Sequence, residues 1–285
     1  MIYVPSTIDY MLKTKLFCHI FNGMLLAGIL LGSVSCGSDE PSPEPPLPTP
    51  QSSSLLRTER WKDGHTDYKY DNIRRLVSYV SYKDHVVERE VSYQYDVHQH
   101  RIYSDMTDYM RFPDAPLIYR DTLFLREGLI DSVSGVIQGH AIYHFKLRYN
   151  HDRQLIKVNV ENIFVANGNT LNEEHEYVWE QGDLKTFQSC RREEMVERRS
   201  YAYTLLSAYP KLSIPVPNGN LYPLQQSGYL GMLPKRLPHS EHVFSTRSNQ
   251  LITYEYSIDK GVVRLCSVYS SPEIPIFSVT YEWEK

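Results

Sequence analysis

Two large side chains separated by one residue and followed by a polar turn former recur along this chain. That recurrence limits what it can fold into more than any other feature. The pattern appears at Tyr68-Lys-Tyr70-Asp71, Tyr93-Gln-Tyr95-Asp96, Leu147-Arg-Tyr149-Asn150, Tyr177-Val-Trp179-Glu180 and Tyr254-Glu-Tyr256-Ser257. The positions Tyr70, Tyr95, Leu125, Tyr149, Trp179 and Tyr203 lie 25, 30, 24, 30 and 24 residues apart, a period of about 27. A period of that length fits one β-hairpin per unit. Residues i and i+2 of a strand share a face, so the paired rings face one way and the polar residue between them the other. Asp, Asn and Gly then supply the backbone freedom of a tight turn, as in Glu180-Gln-Gly-Asp183 and Ala166-Asn-Gly-Asn169. His140-Ala-Ile-Tyr-His-Phe-Lys-Leu-Arg-Tyr149 alternates without interruption, which predicts long strands with one apolar and one polar face. The charged run 191–199 fits a short helix or a hairpin tip equally well.

The repeat breaks between Ser207 and Ser240. Five prolines between residues 210 and 234 forbid central-strand pairing, yet Leu221, Tyr222, Leu224, Tyr229, Leu230, Met232 and Leu233 are too apolar for an exposed loop. This segment is expected to pack into the concavity or over an end of the sheet, with one helical turn near Tyr229 to Met232. The expected fold is all-β: a meandering antiparallel sheet of about 14 to 16 strands, curling into a partly or fully closed barrel, with the Pro-rich insertion packed on it.

Upstream of the repeats lies a different kind of sequence. Lys13 and Lys15 precede the apolar stretch 23–32, which ends in Ser33-Val34-Ser35-Cys36. Basic, apolar, then small residues is the order of a secretory signal, and the apolar part is shorter than the roughly 20 residues that span a bilayer. Small residues before a cysteine resemble the lipobox of bacterial lipoproteins, although Ser33 stands where leucine is usual. The resemblance implies that Cys36 receives the lipid and becomes the first residue of the mature chain. Ser38, Asp39 and Glu40 look like the acidic signal that sends such proteins to the cell surface. Proline density then makes the segment to residue 56 a semi-rigid extended tether. The divisions read as 1–35 signal, 36–56 tether and 57–285 one β domain.

Removing residues 1–35 takes away two lysines and one aspartate, leaving 28 basic and 33 acidic side chains and a net charge of −5. Such a balance offers no basic face for nucleic acid. After Cys36 only Cys190 and Cys266 remain; two cysteines set no disulfide framework, and both are expected as buried free thiols.

The lipoprotein start, the Tyr-x-Tyr-Asp hairpins and above all Gly228-Tyr-Leu-Gly-Met-Leu-Pro-Lys-Arg-Leu-Pro238 before a final pair of hairpins resemble an uncharacterised family of Bacteroidetes lipoproteins described as having a porin-like fold. The resemblance covers residues 57 to 285. It implies a fold and no activity, so it assigns no functional residues.

No nucleophile elbow, phosphate-cradling glycine loop or Cys-His arrangement is present. His98-Gln-His100 places two imidazoles on one strand face but follows a turn. Neither 173–176 nor 239–242 has the helical His-Glu-x-x-His spacing, so all three histidine groups read as solvated rather than metal-binding. No cofactor is expected, and no catalytic residue is nominated. The aromatic surplus instead points to stacking on sugars or gripping a partner, with Trp61, Tyr222 and Tyr229 as candidate contacts. The expected protein is a lipid-anchored, surface-exposed outer-membrane binding or structural lipoprotein whose partner is glycan or another envelope protein. A carrier holding an apolar small molecule inside the barrel, and an unrecognised hydrolase, are the rivals.

Overall fold

The computed structural model describes residues 55–110, 115–138, 140–164, 168–208, 213–246, 248–270 and 275–284. The signal, Cys36, the Ser38-Asp39-Glu40 signal and the tether up to residue 54 lie outside them. Sixteen strands form one closed antiparallel barrel in sequential order. They are β1 (Leu56–Trp61), β2 (Gly64–Tyr70), β3 (Leu76–Lys83), β4 (Val86–Asp96), β5 (Arg101–Asp108), β6 (Leu117–Arg126), β7 (Leu129–Ile137) and β8 (Ala141–Tyr149). The second half runs through β9 (Leu155–Phe164), β10 (Thr170–Glu180), β11 (Asp183–Arg191), β12 (Glu194–Tyr203), β13 (Pro238–Ser245), β14 (Asn249–Asp259), β15 (Val262–Tyr269) and β16 (Pro275–Trp283). Pairing of Glu59 with Tyr281 and Arg60 with Thr280 joins β1 to β16, so the barrel closes fully. Leu55 and Leu56, at the start of β1, are buried.

The alternation read from sequence is plainest on β8. On β8, Ala141, Tyr143, Phe145 and Leu147 point inward and are buried, while Ile142, His144, Lys146 and Arg148 are exposed on the outer wall. Turns after the even-numbered strands collect at one end, together with Leu55 and Glu284, whose backbones hydrogen-bond at 2.8 Å. This end is the proximal rim; turns after the odd-numbered strands form the distal rim. The 191–199 run is a distal hairpin tip, with Arg192 and Glu193 both at positive φ, not a helix.

The repeated aromatic pair has a structural task. Its second member sits at the proximal end of each even strand, at Tyr70, Tyr95, Leu125, Tyr149, Trp179, Tyr203, Ile258 and Trp283. The turn after β14 therefore comes two residues later than the Tyr254–Tyr256 pair suggests, and that pair lies deeper in the barrel. Strands β3 and β4 are joined only at the distal rim, so nothing covalent holds them together at the proximal one. There the Tyr95 hydroxyl donates to the Leu76 carbonyl at 2.7 Å. Tyr149 does the same to Ile130, the Trp179 indole to Leu155, Tyr203 to Leu184 and the Trp283 indole to Val263, at 2.8 to 3.0 Å. In five of the eight odd–even pairs one partly buried ring thus stitches the odd strand to the next even strand while packing against the core. β-Bulges at Tyr70, Leu125, Tyr149 and Trp179 add the local twist that bends the wall at this rim.

The two remaining cysteines, Cys190 on β11 and Cys266 on β15, are free thiols. Cys190 is half-buried rather than buried, and burial pushes the Cys266 thiol up to about 11.

If the stitches matter to the barrel as a whole, Tyr149→Phe should lower unfolding stability by about 1 kcal/mol, the usual contribution of one hydrogen bond. Denaturant unfolding followed by tyrosine and tryptophan fluorescence measures this, and an unchanged midpoint would assign the ring to packing alone.

Candidate functional site: the plugged lumen

The chain between β12 and β13 enters the barrel and occupies its lumen. Ile214, Val216, Leu221, Leu224, Tyr229 and Leu230 belong to the same buried cluster as inward-facing residues of β3 to β12. The expected helical turn is present, but not where sequence placed it. A 3-10 turn at Gly219–Leu221 runs into a five-residue helix, α1 (Tyr222–Gln226), with Pro223 in its first turn, whereas residues 229–232 are not helical. Proline at a helix start needs no hydrogen-bond donor and arrives with a helical φ, which explains the shift.

The plug is held by polar contacts along its path. Buried Asn218 and Asn220 lie on either side of an exposed Gly219, opposite Asp121 on β6. Asn218 and Asn220 each donate a side-chain amide hydrogen to Asp121 Oδ2 at 3.1 Å. Tyr143 on β8 donates its hydroxyl to the other oxygen, Asp121 Oδ1. Between these two strands, β7 presents Gly135, paired with both Asp121 and Tyr143. A Cβ at Gly135 would lie 2.4 Å from Asp121 Oδ1 and from the Tyr143 ring, so only glycine lets that bond pass across the strand. Asn218 also caps the 3-10 turn by accepting from the Asn220 amide at 2.9 Å.

Further contacts fix the remainder. The Tyr93 hydroxyl donates to the Asn220 carbonyl at 2.7 Å and that of Tyr177 to the Pro215 carbonyl at 2.6 Å. Gln225 closes a two-way amide bond with the backbone of Ile214. On its way back the plug meets one proximal turn after another. Ile130 donates its amide to Tyr229, Met232 to Arg153, and Lys235 to Gly182. Arg236 forks onto Asp183 through its amide at 2.9 Å and its Nε at 2.6 Å.

Burial pushes the Asp121 carboxyl above its ordinary value, and the three donors around it pull in the opposite direction without cancelling that shift. The half of the lumen nearer the distal rim carries other ionic groups, each already engaged. Arg89 bridges to Asp108 at 3.1 Å, Arg191 to Glu173 at 2.9 Å through Nε, and Arg199 to Glu241 at 3.0 Å through Nη1. Glu241 also accepts from the Tyr254 hydroxyl at 2.5 Å, and Glu59 accepts from Tyr68 at 2.8 Å. Burial alone would raise Glu173, but the neighbouring His175 ring and the Arg191 guanidinium outweigh it and hold the carboxyl down at about 2. These carboxylates are thus committed to arginines, tyrosines and amides.

Two shallow depressions mark the outer wall. One of about 310 Å3 at the distal rim is lined by Ile118, Val136, Ile137, Ala141 and Ile142 with Arg120 and Gln138 at its edge. The other, of about 260 Å3, lies between Glu180, Lys185, Ala202, Tyr203 and Arg236. Both are half open. The chamber that a carrier of an apolar molecule would need is occupied by the plug itself.

The three aromatic residues singled out from sequence do not form a surface together. Tyr229 is 2% exposed inside the lumen with its ring 5.9 Å from that of Tyr95, so it presents no face to a ligand approaching from outside. Tyr222 is half-buried in the plug and accepts the Val216 amide at 3.3 Å. Trp61 packs partly buried against the cluster around Tyr254 and Tyr281, its ring about 3.0 Å from where a Cβ would stand on Gly64. Each ring carries enough apolar area to be worth more inside than out, which composition cannot reveal. His98, His100, His239 and His242 are exposed, but His175 is buried rather than solvated, its ring against Phe187 and beside Glu173, and among the described residues no group of histidine, cysteine and carboxylate side chains is arranged to hold a metal ion. Asp121, Gly135, Tyr143, Asn218 and Asn220 were not singled out from sequence. The available signals were an acidic residue at an inward position of β6 and a glycine at the middle of a strand.

Asp121→Ala should leave the Asn218, Asn220 and Tyr143 donors without their acceptor, at a cost of about 3 kcal/mol or more. Gly135→Ala should be destabilising for the same reason from the opposite side. Urea unfolding combined with limited proteolysis between residues 213 and 237 would separate plug release from global unfolding. Because Glu173 is depressed, its contribution is present above the ordinary value of 4.5 and is lost as pH falls toward about 2. Glu173→Gln should therefore flatten the loss of stability between those two pH values, which thermal melts across that range would measure.

No protein-family model matches this sequence, and no curated protein sequence does. Among solved structures, a porin-like protein from Bacteroides uniformis superposes with a TM-score of 0.54 at 16% identity, over 80% of this chain and 98% of that one. A porin-like protein from Bacteroides vulgatus superposes with a TM-score of 0.60 at 12% identity, over 80% and 97%. At these identities the likeness is one of fold: the chain shares the porin-like barrel.

Proposed function

We propose that this barrel is a lipid-anchored, surface-displayed binding or structural lipoprotein, attached to the outer membrane through Cys36, and not a pore. The outer wall carries the argument. A membrane-spanning barrel needs an outward apolar band about 25 Å tall, with an Arg or Lys at its midplane costing roughly 2 to 4 kcal/mol. Here β8 presents His144, Lys146 and Arg148 outward from its middle to its proximal end, and β10 presents Glu176 and Glu180. The inner wall is the apolar one, and the lumen is filled. Such a wall belongs in water. Attachment to a membrane then falls to the lipid on Cys36, with Ser38, Asp39 and Glu40 directing the protein to the exterior and glycan or an envelope protein as the partner.

Filling of the lumen also weighs against the small-molecule carrier, and engagement of the inner carboxylates weighs against the hydrolase. Neither rival has a site among the described residues that favours it.

Protease treatment of intact cells tests this reading. The native protein should be shaved, a Ser38→Ala, Asp39→Ala, Glu40→Ala variant should be protected, and Cys36→Ala should move the protein from the membrane to the soluble fraction. Protection of the native chain would place the domain in the periplasm, and membrane retention of Cys36→Ala would restore the spanning barrel.

A further inference from the structure

We propose that the proximal rim is a membrane-contacting face, on which apolar side chains enter the interface of the bilayer that holds the protein's own lipid. The proposal rests on the reading of Cys36 as the lipid anchor. The first described residue, Leu55, lies at the proximal rim, hydrogen-bonded to Glu284. Whatever length the tether spans, the chain arriving from Cys36 therefore meets the barrel at this end.

The same rim exposes apolar side chains that its own fold leaves uncovered. Leu205 is 91% exposed, Leu206 50%, Ile73 54% and Met232 43%. They come from different parts of the chain. Ile73 is on the turn between β2 and β3, Leu205 and Leu206 follow β12, and Met232 lies on the returning plug beside the turn between β8 and β9. Leu205 stands out because a single substitution to a polar residue would cost the barrel nothing, its side chain touching almost none of it. The backbone beneath is fixed: Leu237 donates to the Leu206 carbonyl at 2.9 Å, and Thr204 Oγ1 accepts from the Leu206 amide at 3.0 Å. A rigid platform thus holds two adjacent leucines outward, as shallow interfacial insertion requires. Affinity need not be high. A tethered domain samples the membrane surface at an effective concentration in the millimolar range, so contacts too weak to recruit a free protein suffice to orient an anchored one.

The test uses the full lipidated chain reconstituted in vesicles of phosphatidylethanolamine and phosphatidylglycerol whose acyl chains carry bromine. In a Cys190→Ser background, an environment-sensitive fluorophore is attached at Leu205→Cys or, on the opposite rim, at Val86→Cys, a position that is 66% exposed. Both sites are exposed enough that labelling leaves the fold intact, which a matched thermal melt verifies. The probe at 205 should shift to the blue and lose emission to the brominated chains while the probe at 86 does neither. Vesicle flotation with no quenching at 205, or equal quenching at both rims, overturns the membrane face and leaves the anchor standing. Loss of flotation in the native chain, matching Cys36→Ala, overturns the anchor and the membrane face with it.

Discussion

A barrel of sixteen strands encloses more volume than its own inward side chains can fill. Eight strands leave an interior just wide enough for side chains to close, and barrels of about sixteen ordinarily keep an aqueous channel. This chain meets the constraint with one segment that its repeat does not supply. The plug brings Ile214, Leu221, Leu224 and Leu230 into a lumen already ringed by tyrosines, which turns a would-be channel into a hydrophobic core. The stability of the barrel and the burial of the plug are therefore one problem, since neither has a partner for its apolar surface without the other.

That arrangement inverts the polarity of a membrane barrel. With the apolar face spent on the inside, the outer wall is free to carry Lys146, Arg148, Glu176 and Glu180. The inversion is visible in single strands and does not depend on resemblance to any other protein. The porin-like proteins from Bacteroides share the architecture, and architecture alone says nothing of which face meets lipid.

Most of the barrel was legible in sequence because period-two alternation and turn chemistry are local. Tyr149 and Trp179 mark strand ends whether or not their neighbours are known, and Gln181-Gly182 marks a two-residue turn in which Gly182 supplies the backbone freedom and both residues take positive φ. Closure of β1 onto β16 and the place of the plug were less legible, because they join residues more than two hundred positions apart, or residues within a Pro-rich segment that follows no period. Sequence places Tyr222 and Tyr229 in a segment that packs on or in the sheet, yet it leaves open whether either ring meets a ligand. An aromatic side chain in an irregular segment looks the same from sequence whether it faces solvent or the lumen, and only the enclosing wall decides. The β14 pair shows a subtler limit. Tyr254 and Tyr256 carry the right residues, yet the turn forms two positions later, at Lys260-Gly261, where positive φ at both positions suits a type I′ connection.

The choice of polar groups to seat the plug follows from what an apolar lumen cannot specify. Hydrophobic contact is non-directional, and a stretch of leucine, tyrosine and proline inside a wide barrel has many ways to bury similar area. Asp121 removes that degeneracy. Its carboxylate is buried enough that charging it is costly unless the Asn218, Asn220 and Tyr143 donors are in place, and in this arrangement all three converge on it. Gly135 makes the convergence possible by leaving the inner wall bare between β6 and β8. Burial pushes the carboxyl above its ordinary value even with the three donors in place. One glycine, one aspartate and two asparagines thus fix the turn of the plug against β6, β7 and β8.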